Sequence, residues 1–152
     1  MNASILIAAI SVGVMVFARL FMGVLLFLAG NVSIFSIVLP VAVALLILIG
    51  ILAGQRLAWQ WGRLLGLVGG VILTLAALGA FARVQEEPGF VVAGVLMALQ
   101  GVPLFPMFFA LGTRQAREHF RVICPQCGSA RPKGGNFLFT KAICRKCNAV
   151  WT

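Results

Sequence analysis

The chain has 152 residues, of which 62% are hydrophobic and only 10% charged, with a mean hydropathy of +1.10. A soluble domain is roughly half apolar and about a quarter charged, so a water-soluble globule is excluded and lipid must solvate most of the surface. The net charge of +9 lies mainly at one end: the first 50 residues carry Arg19 alone, whereas residues 113–152 carry eight Lys or Arg against one acid, Glu118. Such asymmetry fits a basic tail that faces anionic lipid, nucleic acid or an acidic partner.

The N-terminal "MNASILIAAI" lacks the basic n-region and the small-residue cleavage site of a secretory signal, so it reads as the start of a retained membrane helix. A hydrocarbon core about 30 Å thick needs roughly 20 apolar residues per helix. Four stretches meet that length: 4–29, 35–53, 64–82 and 90–111. The domain reading is a four-helix transmembrane domain over 1–112, a basic juxtamembrane stem over 113–121, and a small C-terminal module over 122–152. The breaks "GNVS", "GQRLAWQWGR", "RVQEEPG" and "GTRQAREHFR" all hold Gly or polar residues, as turns require.

Within the first stretch, Arg19 is the only charge. A charge in hydrocarbon costs on the order of 3 kcal/mol or more, so a reason is expected. One reading is contact with a lipid phosphate or with a carboxylate on another subunit; the other is snorkelling along the helix. No Asp or Glu lies in any of the four stretches to serve as an internal partner.

The second break carries Arg56 and Arg63, and the fourth carries Arg114, Arg117 and Arg121. The first is uncharged, and the third sets Glu86 and Glu87 against Arg83. Cytoplasmic loops are enriched in Lys and Arg, which places both termini in the cytoplasm, with a bacterial inner membrane as the expected location. Trp59 and Trp61 are suited to anchor the second break at the headgroup level.

In the third stretch Gly62, Gly66 and Gly70 recur every fourth residue, the small-xxx-small spacing that lets helices approach closely within a bundle or across an oligomer face. The fourth stretch holds "LQGVPLFPMFF", where Pro103 and Pro106 predict a kink. Broken helices line transport sites, but no second helix repeats this break and no acid accompanies it. Packing shape is therefore the expected role. In the stem, Arg114, Arg117 and Arg121 at i, i+3 and i+7 form one basic stripe if the fourth helix continues into the cytoplasm, with Glu118 pairing to Arg114. His119 has no second ligand at metal spacing and is expected to be an exposed polar residue.

All four cysteines fall in the last module, as C-x2-C-x16-C-x2-C: Cys124, Cys127, Cys144 and Cys147. Two such turns can aim four thiolates at one tetrahedral ion, each sulfur about 2.3 Å from it. Gly128 and Asn148 follow the pairs, where a positive φ is expected, and Pro125 stiffens the first turn. "SARPKGGN" reads as a turn or hairpin loop. "NFLFT" reads as a strand with Phe137 and Phe139 on one face, and "AVWT" as its possible partner. About 30 residues are too few to fold on apolar burial alone, so a metal staple is expected.

By its "CPQCG" and "CRKCN" knuckles, this stretch resembles a zinc ribbon. The resemblance implies a small β module holding one structural Zn²⁺ and says little about function, because ribbons serve nucleic-acid and protein binding alike. Rubredoxins, which hold redox iron on two such knuckles, are the rival family; they carry a longer spacer, a different second knuckle and an acidic core. The fold class expected is an all-α polytopic membrane protein of four transmembrane helices with a small C-terminal β zinc-ribbon module. Besides Arg19 and the stem arginines, Arg131, Lys133, Lys141, Arg145 and Lys146 are candidate contacts for lipid or a partner.

The chain has no Asp and no Tyr, and one His. General acid–base pairs, triads and phosphate loops are therefore unsupported, and no enzyme is expected. The leading expectation is an accessory or scaffold subunit acting through protein–protein interaction in the membrane, or a homo-oligomer. The alternatives are a membrane-tethered regulator that binds nucleic acid or the ribosome, a rubredoxin-like electron carrier with iron in place of zinc, and a small transporter.

Overall fold

The computed structural model describes residues 2–28, 30, 33–85, 88–130, 132–134 and 141–151. The helices are α1 (Ala3–Leu28), α2 (Ile34–Leu52), α3 (Arg56–Ala82), α4 (Gly89–Gly101), α5 (Leu104–Gly112) and α6 (Arg114–His119). Three short strands follow, β1 (Pro132–Gly134), β2 (Ala142–Cys144) and β3 (Val150–Trp151). Four helical segments are long and apolar enough to cross a membrane: α1, α2, α3, and α4 together with α5. The protein is an integral membrane protein, helical in its spans because a helix satisfies its backbone polar groups without water.

Lipid inverts the usual burial pattern. Large apolar side chains such as Phe17, Leu28, Leu46, Ile72 and Phe109 are exposed. The buried positions of α1 include Ser4, Ala8, Ser11, Ala18 and Gly23, and those of α3 include Ala58, Gly62, Gly66, Gly70 and Ala77. Small residues mark helix contacts in membranes because association there depends on close packing rather than on escape from water. α1 packs against α2, α4 and α5, while α3 packs against α2, α4 and α5.

The fourth span is interrupted at Val102–Pro103, between α4 and α5. Pro103 has no N–H to donate, and the ladder resumes with Phe105 N donating to Val102 O at 3.2 Å. α5 then lies on the glycine face of α3. A Cβ on Gly66 would meet Leu104 O and Met107 Cε at 3.1 Å and Phe108 Cβ at 3.2 Å.

The second connection is shorter than its polar composition implies. α3 begins at Arg56 rather than near Leu64, so Trp59, Trp61 and Arg63 are helical. The apolar run 64–82 is about 28 Å long, enough for the hydrocarbon core, and the two preceding turns lengthen the helix beyond that run. α2 ends in a tight cap: Gly54 is left-handed (φ 69°) and Gln55 N donates to Gly50 O at 2.8 Å.

At the same end Thr113 starts α6. Its Oγ1 accepts from Ala116 N at 3.2 Å and shares a hydrogen bond with Ser4 Oγ at 2.9 Å, tying the stem to the start of α1. α6 stops at His119, where Val122 N donates to Arg117 O at 2.9 Å and Arg121 takes a left-handed conformation (φ 52°). Phe120 and Val122 are fully buried and belong to the same apolar cluster as Ile5, Ile51, Met107 and Leu111. Their burial turns the chain back onto the bundle, so the stem is a seat and the helix does not run on through it. The expected single stripe of Arg114, Arg117 and Arg121 consequently does not form.

The module's sheet has the order β1-β2-β3, antiparallel throughout. β1 falls inside "SARPKGGN", which was expected to be a loop. As an edge strand it accommodates Pro132, whose missing donor is tolerated there. β3 pairs with β2, Ile143 opposite Val150. The "NFLFT" strand, with Phe137 and Phe139, and the residues Arg131, Glu86 and Glu87 lie outside the described residues.

Candidate metal centre

Two backbone turns of one design build the centre. Cys124 N donates to Ser129 O at 3.0 Å and Gly128 N to Cys124 O at 3.0 Å; Cys144 N donates to Ala149 O at 2.9 Å and Asn148 N to Cys144 O at 3.0 Å. The fifth residue of each turn is left-handed, with φ 64° at Gly128 and φ 56° at Asn148, the conformation that Gly and Asn adopt at least cost. β2 ends on Cys144 and so delivers the second turn to the first.

The four sulfurs lie within 4.8 Å of one another. Cys124 and Cys147 are separated by 3.6 Å and Cys127 and Cys144 by 3.4 Å. All four are free thiols. A regular tetrahedron with bonds of about 2.3 Å sets sulfurs about 3.8 Å apart, so the cluster has the shape to hold one tetrahedral ion. Cys124 and Cys144 are buried, Cys127 is half-buried and Cys147 is exposed.

Backbone amides tune the thiols unequally. The Cys147 amide, helped by that of Lys146 and opposed by desolvation, draws Cys144 down to about 6. The Lys146 N–H lies 3.4 Å from that sulfur. Cys147 moves the other way. The Ala149 amide favours its thiolate, but desolvation on its inner side and the thiols of Cys144, Cys124 and Cys127 push it up to about 12. A divalent cation displaces these protons and offsets the repulsion among the thiolates.

The module is fixed to its seat. Trp151 Nε1 donates to the carbonyl of Arg121 at 2.8 Å, the residue between the buried Phe120 and Val122. Lys133, Lys141, Arg145 and Lys146 are exposed on it.

The other sequence candidates separate. Gly62, Gly66 and Gly70 face Leu104, Met107, Phe108 and Leu111 of α5 within one chain. Arg114 is 85% exposed and pairs with Glu118 at 3.1 Å. Arg19 is half-buried and lines a cavity of about 180 Å³ with Gln100, Pro40 and Leu73. Gln100, 3% exposed, donates from Nε2 to Leu96 O at 3.1 Å and contacts Met22 Sδ at 3.3 Å.

His119 departs from expectation. It is half-buried, with Nε2 3.1 Å from Ile51 O and its backbone against Gly54. It satisfies a carbonyl at the C-terminus of α2, a common role for basic side chains there. The helix end marked by Gly54 was the available signal for this contact. Two further contacts carried no sequence signal: the Trp59 Nε1 donation to Leu111 O at 2.8 Å, and the burial of Phe120.

No protein-family model, curated protein or solved structure matches this chain.

Proposed function

We propose that this protein is a non-catalytic subunit of a membrane complex, a four-span anchor that presents a zinc ribbon on a fixed mount at the cytoplasmic face. The four-sulfur cluster carries this reading: four cysteines fill every position of a tetrahedral ion and leave none for a water or substrate. An ion held this way maintains a surface and performs no hydrolysis. Thiolate ligands at these spacings favour Zn²⁺ among abundant cations, and the resemblance of the knuckles to a zinc ribbon agrees.

The cytoplasmic orientation, in a bacterial inner membrane, draws on the arginine bias of the connections and on thiols that stay reduced in that compartment. The mount supports a scaffold role, since Trp151 and the buried Phe120 and Val122 hold the module against the bundle. The exposed Lys133, Lys141, Arg145 and Lys146 suit an acidic protein surface.

Extraction in mild detergent followed by intact-mass measurement tests the assignment. A fixed-ratio complex with a different chain, lost on substituting the exposed basic residues, is the expected result. A particle of this chain and lipid alone contradicts the subunit reading, and strongly salt-dependent RNA or DNA binding by the whole protein contradicts the choice of partner. Thiol reagents that cannot cross membranes should leave the cysteines unlabelled in intact cells; labelling there overturns the orientation.

A further inference from the structure

We propose that the helix bundle holds a binding site for a single-chain amphiphile with a carboxylate head, the chemistry of a long-chain fatty acid, and that Arg19 of α1 is its headgroup contact. Two adjoining cavities define the site. The smaller, about 180 Å³, is lined by Arg19 and Gln100. The larger, about 410 Å³, is lined only by apolar side chains and glycine, among them Val12, Leu65 and Gly69. Met15, Pro40, Ala44 and Leu73 border both. Of these, Met15 is unbranched and adaptable, so the partition between the polar and the apolar chamber is soft.

Arg19 has a charge to satisfy and nothing described to satisfy it. It joins no hydrogen bond or ion pair among the described residues, and the one described acid, Glu118, is engaged by Arg114 in the stem. Ionisable groups inside a membrane span are retained where they face a cavity or a partner, and they mark ligand sites. Arg19 is half-buried and faces the smaller cavity. Gln100 supplies a second polar group on the same wall. Its Nε2 is committed to Leu96 O at 3.1 Å and to Met22 Sδ at 3.3 Å, which fixes the amide and leaves Oε1 as an acceptor.

The depth of the site identifies the class of ligand. Arg19 lies nine residues before the end of α1, Leu73 nine before the end of α3, and Gln100 eleven after the start of α4. These offsets are about 14–17 Å along the helices, near the middle of a hydrocarbon core about 30 Å thick. A phosphate held at the bilayer surface on two acyl chains does not reach that level, and a water-soluble anion has no route through the apolar lining. A carboxylate carried on one chain reaches it, because the chain dissolves in hydrocarbon. The guanidinium fork then donates two parallel hydrogen bonds to the carboxylate and the charges cancel. The tail has a place to lie. Val12, Met15 and Arg19 share one face of α1, and Leu65, Gly69 and Leu73 share one face of α3. The apolar chamber therefore runs from the arginine toward the four-cysteine end, about 12 Å along α3 from Leu73 to Leu65. An apolar cavity of this size with a few convergent polar groups is the usual form of a small-molecule site.

The test uses the full chain, delipidated in neutral detergent, with added hexadecanoic acid, hexadecanol or phosphatidylglycerol, read by retained mass in intact-mass spectra and by thermal stability. The expected result is one hexadecanoic acid per chain and a raised melting temperature, with the alcohol and the phospholipid each bound about tenfold more weakly or worse. Arg19→Gln should abolish the preference for the acid over the alcohol. If that variant folds poorly, Arg19→Lys carries the comparison, because lysine keeps the charge and loses the fork; it should retain less acid than the parent. Hexanoic acid, which has the head without the tail, should be retained far more weakly than hexadecanoic acid. Equal retention of acid and alcohol by the parent, or of the acid by the parent and Arg19→Gln, would overturn the headgroup contact. Equal retention of the short acid would overturn the tail chamber, and equal retention of phosphatidylglycerol would overturn the ligand class. A second protein chain bound in place of the acid and lost in Arg19→Gln would assign the arginine to a partner's carboxylate and overturn the site.

Discussion

Replacing Gly66 by alanine probes the α3–α5 contact on which the module's seat depends. In an open helical position, Gly→Ala stabilises by about 1 kcal/mol. At Gly66 the new methyl would stand 3.1 Å from Leu104 O, 3.1 Å from Met107 Cε and 3.2 Å from Phe108 Cβ. Ordinary contact begins near 3.4 Å, so α5 must retreat by a few tenths of an ångström. Met107 can swing aside, but the Leu104 oxygen is backbone and moves only with its helix. Overpacking of this kind costs about 1–3 kcal/mol, which cancels the propensity gain or exceeds it. Gly79, on the same helix with nothing within 4 Å of an added Cβ, supplies the reference. Thermal unfolding in detergent should rank Gly79→Ala at or above the parent and Gly66→Ala below it, a gap of about 1–3 kcal/mol. Equal stability of the two variants would refute the close approach of α5.

Acid should release the metal, because protons compete with the ion for thiolates. The Cys147 amide holds the Cys144 thiol down to about 6 before an ion binds. Above that pH its thiolate is already formed; below it, one more proton must be displaced per ion bound, so affinity falls more steeply. Competition against a chelator between about pH 5 and 8 checks this, and a pH-independent affinity contradicts it. Thr113→Val removes the cap on Ala116 N and the link to Ser4, with an expected cost of about 1–2 kcal/mol. Thr113→Ser keeps both. A wild-type melting temperature for the valine variant would show that the stem is not held there.

The spans and the cysteine turns were legible because each follows from a local rule. Runs such as 64–82 match the bilayer thickness, and Gly128 and Asn148 stand where the turns need a left-handed residue. The start of α3 was less legible. Arg56, Gln60 and Arg63 are polar enough to mark an exit from hydrocarbon, and the helix crosses that boundary intact because its backbone bonds are indifferent to what surrounds the side chains. The stem was misjudged for a related reason. The spacing of Arg114, Arg117 and Arg121 is helical, but burial of Phe120 and Val122 against Ile5, Ile51 and Leu111 outweighs continuation and costs Arg121 a left-handed backbone. Such non-local contacts leave no periodic trace. The same holds for His119, whose partner carbonyl belongs to Ile51.

Metal content of the purified, tag-free protein tests the central claim most directly. One zinc per chain, no visible absorption, and complete loss of zinc in Cys144→Ser is the predicted result. Stoichiometric iron with a thiolate charge-transfer spectrum, or four cysteines recovered as two disulfides without metal, would contradict it.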